Sequence, residues 1–115
     1  MSDRLRAELR RAVDAGGPGS EPARVALGGG SVRRRLEAGI RALAEHRGPR
    51  SSTCPSDAAR AVGGQQWREL MDCAREIAVE LAERGEVQLT QRGRVLDPRA
   101  PWSGPIRIKT TRPPR

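Results

Sequence analysis

The sharpest pattern in the chain runs from Trp67 to Leu96, where a helical period gives way to a strand period. Apolar residues at Trp67, Leu70, Met71, Ala74, Ile77, Ala78 and Leu81 fall on one helical face, and Gln65-Gln66 opens the predicted helix. Arg84 and Gly85 then supply a C-terminal cation and a residue suited to a left-handed cap. From Val87 the period becomes two, with Val87 and Leu89 alternating with Gln88 and Thr90. Arg92-Gly93 is a tight-turn signal, so a β-hairpin is expected directly after the helix.

Upstream, Leu5, Leu9, Ala12 and Val13 predict a short helix within residues 1–15, with Ser2 as its N-cap and only a thin apolar stripe. Residues 16–31, GGPGSEPARVALGGGS, read as a flexible Gly/Pro-rich linker. The first helix is therefore expected as a loosely docked appendage or a tail. Ser31 caps a helix over 32–47 whose inward stripe is Val32, Leu36, Ile40 and Leu43, and Gly48-Pro49 stops it. Thr53 or Cys54 caps a short helix with Pro55 in its first turn, Asp57 complementing the dipole, and Ala58, Ala59 and Val62 inward. Gly63-Gly64 ends it. Beyond the hairpin, residues 105–109 alternate Ile106 and Ile108 with Arg107 and Lys109, a further strand, and 111–115 read as a disordered basic tail. The fold class expected is α+β, mostly helical. It takes the form of a winged helix-turn-helix over residues 32–110, with three helices, a small antiparallel sheet as wing and an N-terminal helical extension.

Composition narrows the picture. Apolar residues make up 36% of the 115, with no Phe, no Tyr and two Trp, so a small core of Leu, Ile, Val and Ala is expected. The two cysteines, Cys54 and Cys73, have no CxxC spacing and one His for company, which excludes a zinc site and points to free thiols, Cys73 as a small buried one. His46, at a helix C-terminus, reads as a surface residue. Nothing resembles a signal peptide or a membrane span, and a cytoplasmic protein is expected. No nucleophile–base pair, P-loop or GxGxxG is present, so neither an enzyme nor a cofactor site is expected.

Four separated segments, TCPSDAARAVG, WRELM, LTQRGRVLDP and GPIRIK, occur in the order that resembles the bacterial domain-of-unknown-function family 3253. The likeness covers about residues 33–109. It implies a winged-helix-like fold and no established activity. Arg92 stands where that pattern commonly has Lys, which keeps the charge.

The net charge of +8 points to an anionic partner, DNA or RNA foremost. Its distribution matters more than its size. Residues 51–91 hold 4 cations against 7 anions, whereas residues 92–115 hold 7 against 1. The helix that would enter a groove is therefore acidic on its polar face, through Glu69, Asp72, Glu76, Glu80 and Glu83. Its first turn offers base-edge donors in Gln65, Gln66 and Arg68. The wing offers phosphate contacts in Arg92, Arg94, Arg107 and Lys109. The expected function is thus nucleic-acid binding through a basic wing with weak sequence preference. The alternative is a protein-interaction adaptor that presents its acidic helix to a basic partner. Trp67 is expected in the core and Trp102 as cover for the sheet.

Overall fold

The structure, a computed structural model, describes residues 3–112. Helix α1 spans Asp3–Ala15, α2 Ser20–Leu27, α3 Val32–Arg47, α4 Pro55–Gly63 and α5 Met71–Glu83, and a 3-10 stretch, Gly64–Leu70, joins α4 to α5. Strands β1 (Val87–Gln91), β2 (Arg94–Val95) and β3 (Arg107–Thr110) follow. The fold is α+β and mostly helical, with one antiparallel sheet in the order β2-β1-β3.

Helix α3 is the spine, because it buries two faces. Leu36 and Ile40 enter a core with Ala58 and Ala59 of α4, Ile77 and Leu81 of α5, and Leu89 and Ile108 of the sheet. Ala38, Ala42 and Leu43 enter a second core with Leu5 and Leu9 of α1 and Ala23 and Ala26 of α2. The radius of gyration, 12.9 Å, matches the ~13 Å of a compact chain of about 100 residues, so the N-terminal pair is docked.

A polar seam ties the second core shut. Arg47, at the end of α3, donates to both carboxylate oxygens of Glu8 at 2.8 Å, to the Ser52 carbonyl at 2.9 Å and to Asp57 at 3.1 Å. Asp57 also accepts from the Thr53 hydroxyl at 2.8 Å and completes the capping box of α4. The Arg47 hydrogen bond holds the Glu8 carboxyl below its ordinary range. Burial alone would raise Asp57, but the Thr53 hydroxyl and the Arg47 charge together hold it low.

The hairpin forms as expected. Arg92 (φ 53°) and Gly93 (φ 83°) both have positive φ, the combination that a two-residue turn matched to strand twist requires. Leu89 faces Ile108 across the sheet, and Thr53 closes the outer edge of β3 by exchanging two hydrogen bonds with Ile108 at 2.8 and 2.6 Å. The short β2 is left as the edge, with Arg94 exposed.

Five expectations are corrected. Residues 16–31 are not a linker, since they contain α2 and two fully buried alanines. An alanine stripe is too weakly apolar to announce itself, and Gly19 serves close approach: a Cβ there would meet the Ala42 carbonyl oxygen at 3.1 Å. The long helix does not start at Gln65. Gly-Gly-Gln-Gln offers no Ser, Thr, Asp or Asn side chain to cap an α-helix, and the chain tightens into the 3-10 stretch, with Gln66 off helical geometry, so that α5 begins at Met71. Val32 is 44% exposed rather than inward. Of the tail, Thr111 donates to the Gly85 carbonyl at 2.9 Å and Arg112 to Glu45 at 2.8 Å, so the chain is held through 112. Ser2 and residues 113–115 lie outside the described residues. Both cysteines are free, and Cys73 is half-buried rather than buried. Among the described residues no helix is long and apolar enough to cross a membrane.

Candidate nucleic-acid interface

Folding sorts the charges into two populations. One is internally matched. Arg33 bridges Glu76 at 2.8 Å and Glu80 at 2.6 Å, Arg41 holds Glu37 and Glu86, Arg99 reaches Glu83 at 3.4 Å and Arg112 reaches Glu45. The acidic face of α5 is therefore largely answered by arginines from elsewhere in the chain. The other population is unmatched. Among the described residues, Arg60, Arg68, Arg75, Arg92, Arg94, Arg107 and Lys109 have no carboxylate within ion-pair distance, and neither do arginines elsewhere on the chain such as Arg10, Arg11, Arg34, Arg35 and Arg50.

Three unmatched arginines surround one groove. The hairpin contributes Arg92 and Arg94, and β3 contributes Arg107 across an open cleft of about 910 Å³ whose lining has no carboxylate. The cleft exists because the segment between β2 and β3 is pinned to the hairpin. Gln91 Nε2 donates to the carbonyls of Ser103 at 2.6 Å and Pro105 at 3.1 Å. Gly104 fits between them with φ 86°, and a Cβ there would already touch Gln91 Nε2 at 3.4 Å. Arg107 is oriented by Ser52, donating to its hydroxyl at 2.9 Å and its carbonyl at 2.8 Å, contacts that fix the guanidinium without neutralising it.

A second groove of about 340 Å³ lies on the other side of Pro105, which lines both. It runs from the first turn of α4 to Ile106, with Arg60, Arg68 and Arg75 on its walls. The half-buried Trp67 sits between, with the Arg60 and Arg68 guanidinium carbons 4.3 and 4.6 Å from its ring centre.

Of the residues singled out in the sequence, Arg92, Arg94 and Arg107 are brought together. Arg68 lines the second groove instead. Gln65 and Gln66 are exposed in the 3-10 stretch and line neither groove. Lys109 is half-buried on β3 opposite Gln88, away from the cleft. Trp67 packs at the margin of the core rather than within it, and Trp102 packs against the same core. Sequence reasoning missed Gln91, Gly104, Arg60 and Arg75. The first three stand within the TQRG, GPIR and TCPSDAAR segments, so the signal was there, but charge counting had assigned residues 51–91 to an acidic block. All four segments that carry the family resemblance meet at these two grooves.

None of the curated proteins matches the chain. The family described as "Protein of unknown function (DUF3253)" matches residues 33–111, from the first turn of α3 to just beyond β3. That match spans well over half of the sequence and takes in both grooves, and the chain therefore belongs to the DUF3253 family.

Proposed function

We propose that this protein binds nucleic acid through the phosphate backbone, using the hairpin and its neighbouring cleft as a basic wing. The observation that carries the reading is the cleft itself: Arg92, Arg94 and Arg107 converge on a groove whose lining has no carboxylate, and among the described residues none of the three is in an ion pair. Unmatched guanidinium groups are what phosphate contacts need, and such contacts position a protein without reading sequence. The order of three helices and a hairpin, α3, α4, α5, β1 and β2, is the one a winged helix-turn-helix would have, which supports this reading. Exposed Asp72 in the first turn of α5 and Glu69 in the 3-10 stretch just before it disfavour deep entry of that helix into a major groove. Gln65 and Gln66 are the side chains a base edge would meet, and their number limits specificity. The adaptor alternative relied on a free acidic face of α5, and Arg33 and Arg99 occupy three of its four acids.

The test is charge reversal. The chain carrying Arg92→Glu, Arg94→Glu, Arg107→Glu and Lys109→Glu should lose binding to a fluorescent generic duplex at low salt while its circular dichroism is unchanged. If the unaltered chain gives no salt-sensitive binding to duplex DNA or structured RNA, the proposal is lost.

A further inference from the structure

The second groove has a composition that backbone contact by the wing does not use. Three guanidinium groups without acidic partners frame a space of about 340 Å³, within the range of small-ligand sites. Its lining contains no carboxylate, although Asp57, Glu69 and Asp72 are all near in sequence. Asp57 is turned inward to Thr53 and Arg47. The walls are apolar where they are not cationic: Trp67, Met71, Pro105 and Ile106. The first turn of α4, a nine-residue helix, opens on the groove through Cys54, Pro55 and Ser56 and adds the positive end of its dipole. Cationic and apolar walls together suit an amphipathic anion, one part of it phosphate and the other planar.

We infer that this groove binds a nucleoside 5′-monophosphate unit, with Arg60, Arg68 and Arg75 on the phosphate and the base against the Trp67 side. Two arginines already cover the indole at 4.3 and 4.6 Å, and a guanidinium plane stacks on a base as readily as on an indole. Phosphate recognition by arginine is charge-assisted and forked, so each guanidinium removed should weaken binding by about tenfold or more. The same chemistry is carried by a free mononucleotide and by the 5′-phosphorylated end of a strand. The inference does not depend on the wing, because no side chain of Arg92, Arg94 or Arg107 lines this groove.

The chain has two tryptophans, so Trp102→Phe leaves Trp67 as the sole indole reporter. Its fluorescence should change saturably with adenosine 5′-monophosphate, or with a short 5′-phosphorylated oligonucleotide, and not with adenosine or the 5′-hydroxyl strand. A response to the mononucleotide assigns the source to free nucleotide. A response confined to the phosphorylated strand assigns it to a strand end. Arg75→Ala, at an exposed helical position where alanine is favourable, should weaken the response about tenfold. The fourfold wing reversal should leave it intact, which separates failure of this site from failure of the wing. Either of two results overturns the inference: no saturable change with either phosphorylated probe, or equal responses to adenosine and its monophosphate.

Discussion

Arg92 is the described non-glycine residue with positive φ, and it sits at the tip of the β1–β2 hairpin. At φ 53° its Cβ crowds the following carbonyl, which costs an L residue other than Gly, Asn or Asp on the order of 1 kcal/mol. A turn evolved for stability alone would carry Asn-Gly there. Arg92→Asn therefore perturbs two quantities in opposite directions. Asparagine tolerates the left-handed region, so the folded state should gain up to about 1 kcal/mol, or roughly 4 °C in Tm for a domain of this size. The cation is lost at the same time, and with it one of the three arginines on the cleft. One phosphate contact is worth roughly five- to tenfold in affinity near 0.1 M salt. Differential scanning calorimetry and fluorescence anisotropy with a generic duplex read the two effects on one protein. A variant that is less stable refutes the strain argument. One that is more stable but binds unchanged removes Arg92 from the interface.

Other consequences follow from the two cores and the seam between them. Leu9 is fully buried, so Leu9→Ala should cost about 3 kcal/mol in urea unfolding, whereas an undocked first helix would register almost nothing. Arg47→Met leaves Glu8 and Asp57 without their cation and should cost about 3 kcal/mol by the same measurement. Glu8 and Asp57 both titrate below their ordinary values in the folded state, so the stability they confer is present at neutral pH and is lost as the pH falls below about 4.5. A Tm series descending from neutral to acid should show that loss, and Glu8→Gln should flatten it. Gln91→Ala removes two hydrogen bonds to the segment before β3, at a cost of about 1 kcal/mol given their exposure, and should speed amide exchange across residues 103–106.

The strongly periodic parts of the fold were legible. α3 and α4 came from apolar spacing with end signals at Ser31 and Gly48, and at Thr53 or Cys54 and Gly63-Gly64, of which the structure uses Cys54. The hairpin came from the switch to period two and the Arg-Gly turn. What stayed hidden depended on contacts distant in sequence. The stripe of α2 is alanine, and its burial is decided by its packing on α1 and α3, so composition read it as a tether. The 3-10 stretch keeps helical apolar spacing while lacking a cap, and spacing alone does not separate it from α5. The wing residues Arg92, Arg94 and Arg107 could be named from the alternation of β1 and β3. That they share a cleft follows from Gln91 reaching back over the loop, which no local pattern reports. Counting charges by segment concealed the second groove, because five of the seven acids that made residues 51–91 look negative are bound to arginines outside that segment.

The central claim is that a small number of unmatched arginines on the wing hold a phosphate backbone. The measurement that meets it most directly is the salt dependence of duplex affinity between roughly 50 and 200 mM, for the unaltered chain and for Arg107→Ala. Three phosphate contacts predict a slope of log K against log salt of about −3, falling to about −2 in the variant. Binding that does not respond to salt, or a slope that Arg107→Ala leaves unchanged, would contradict the account.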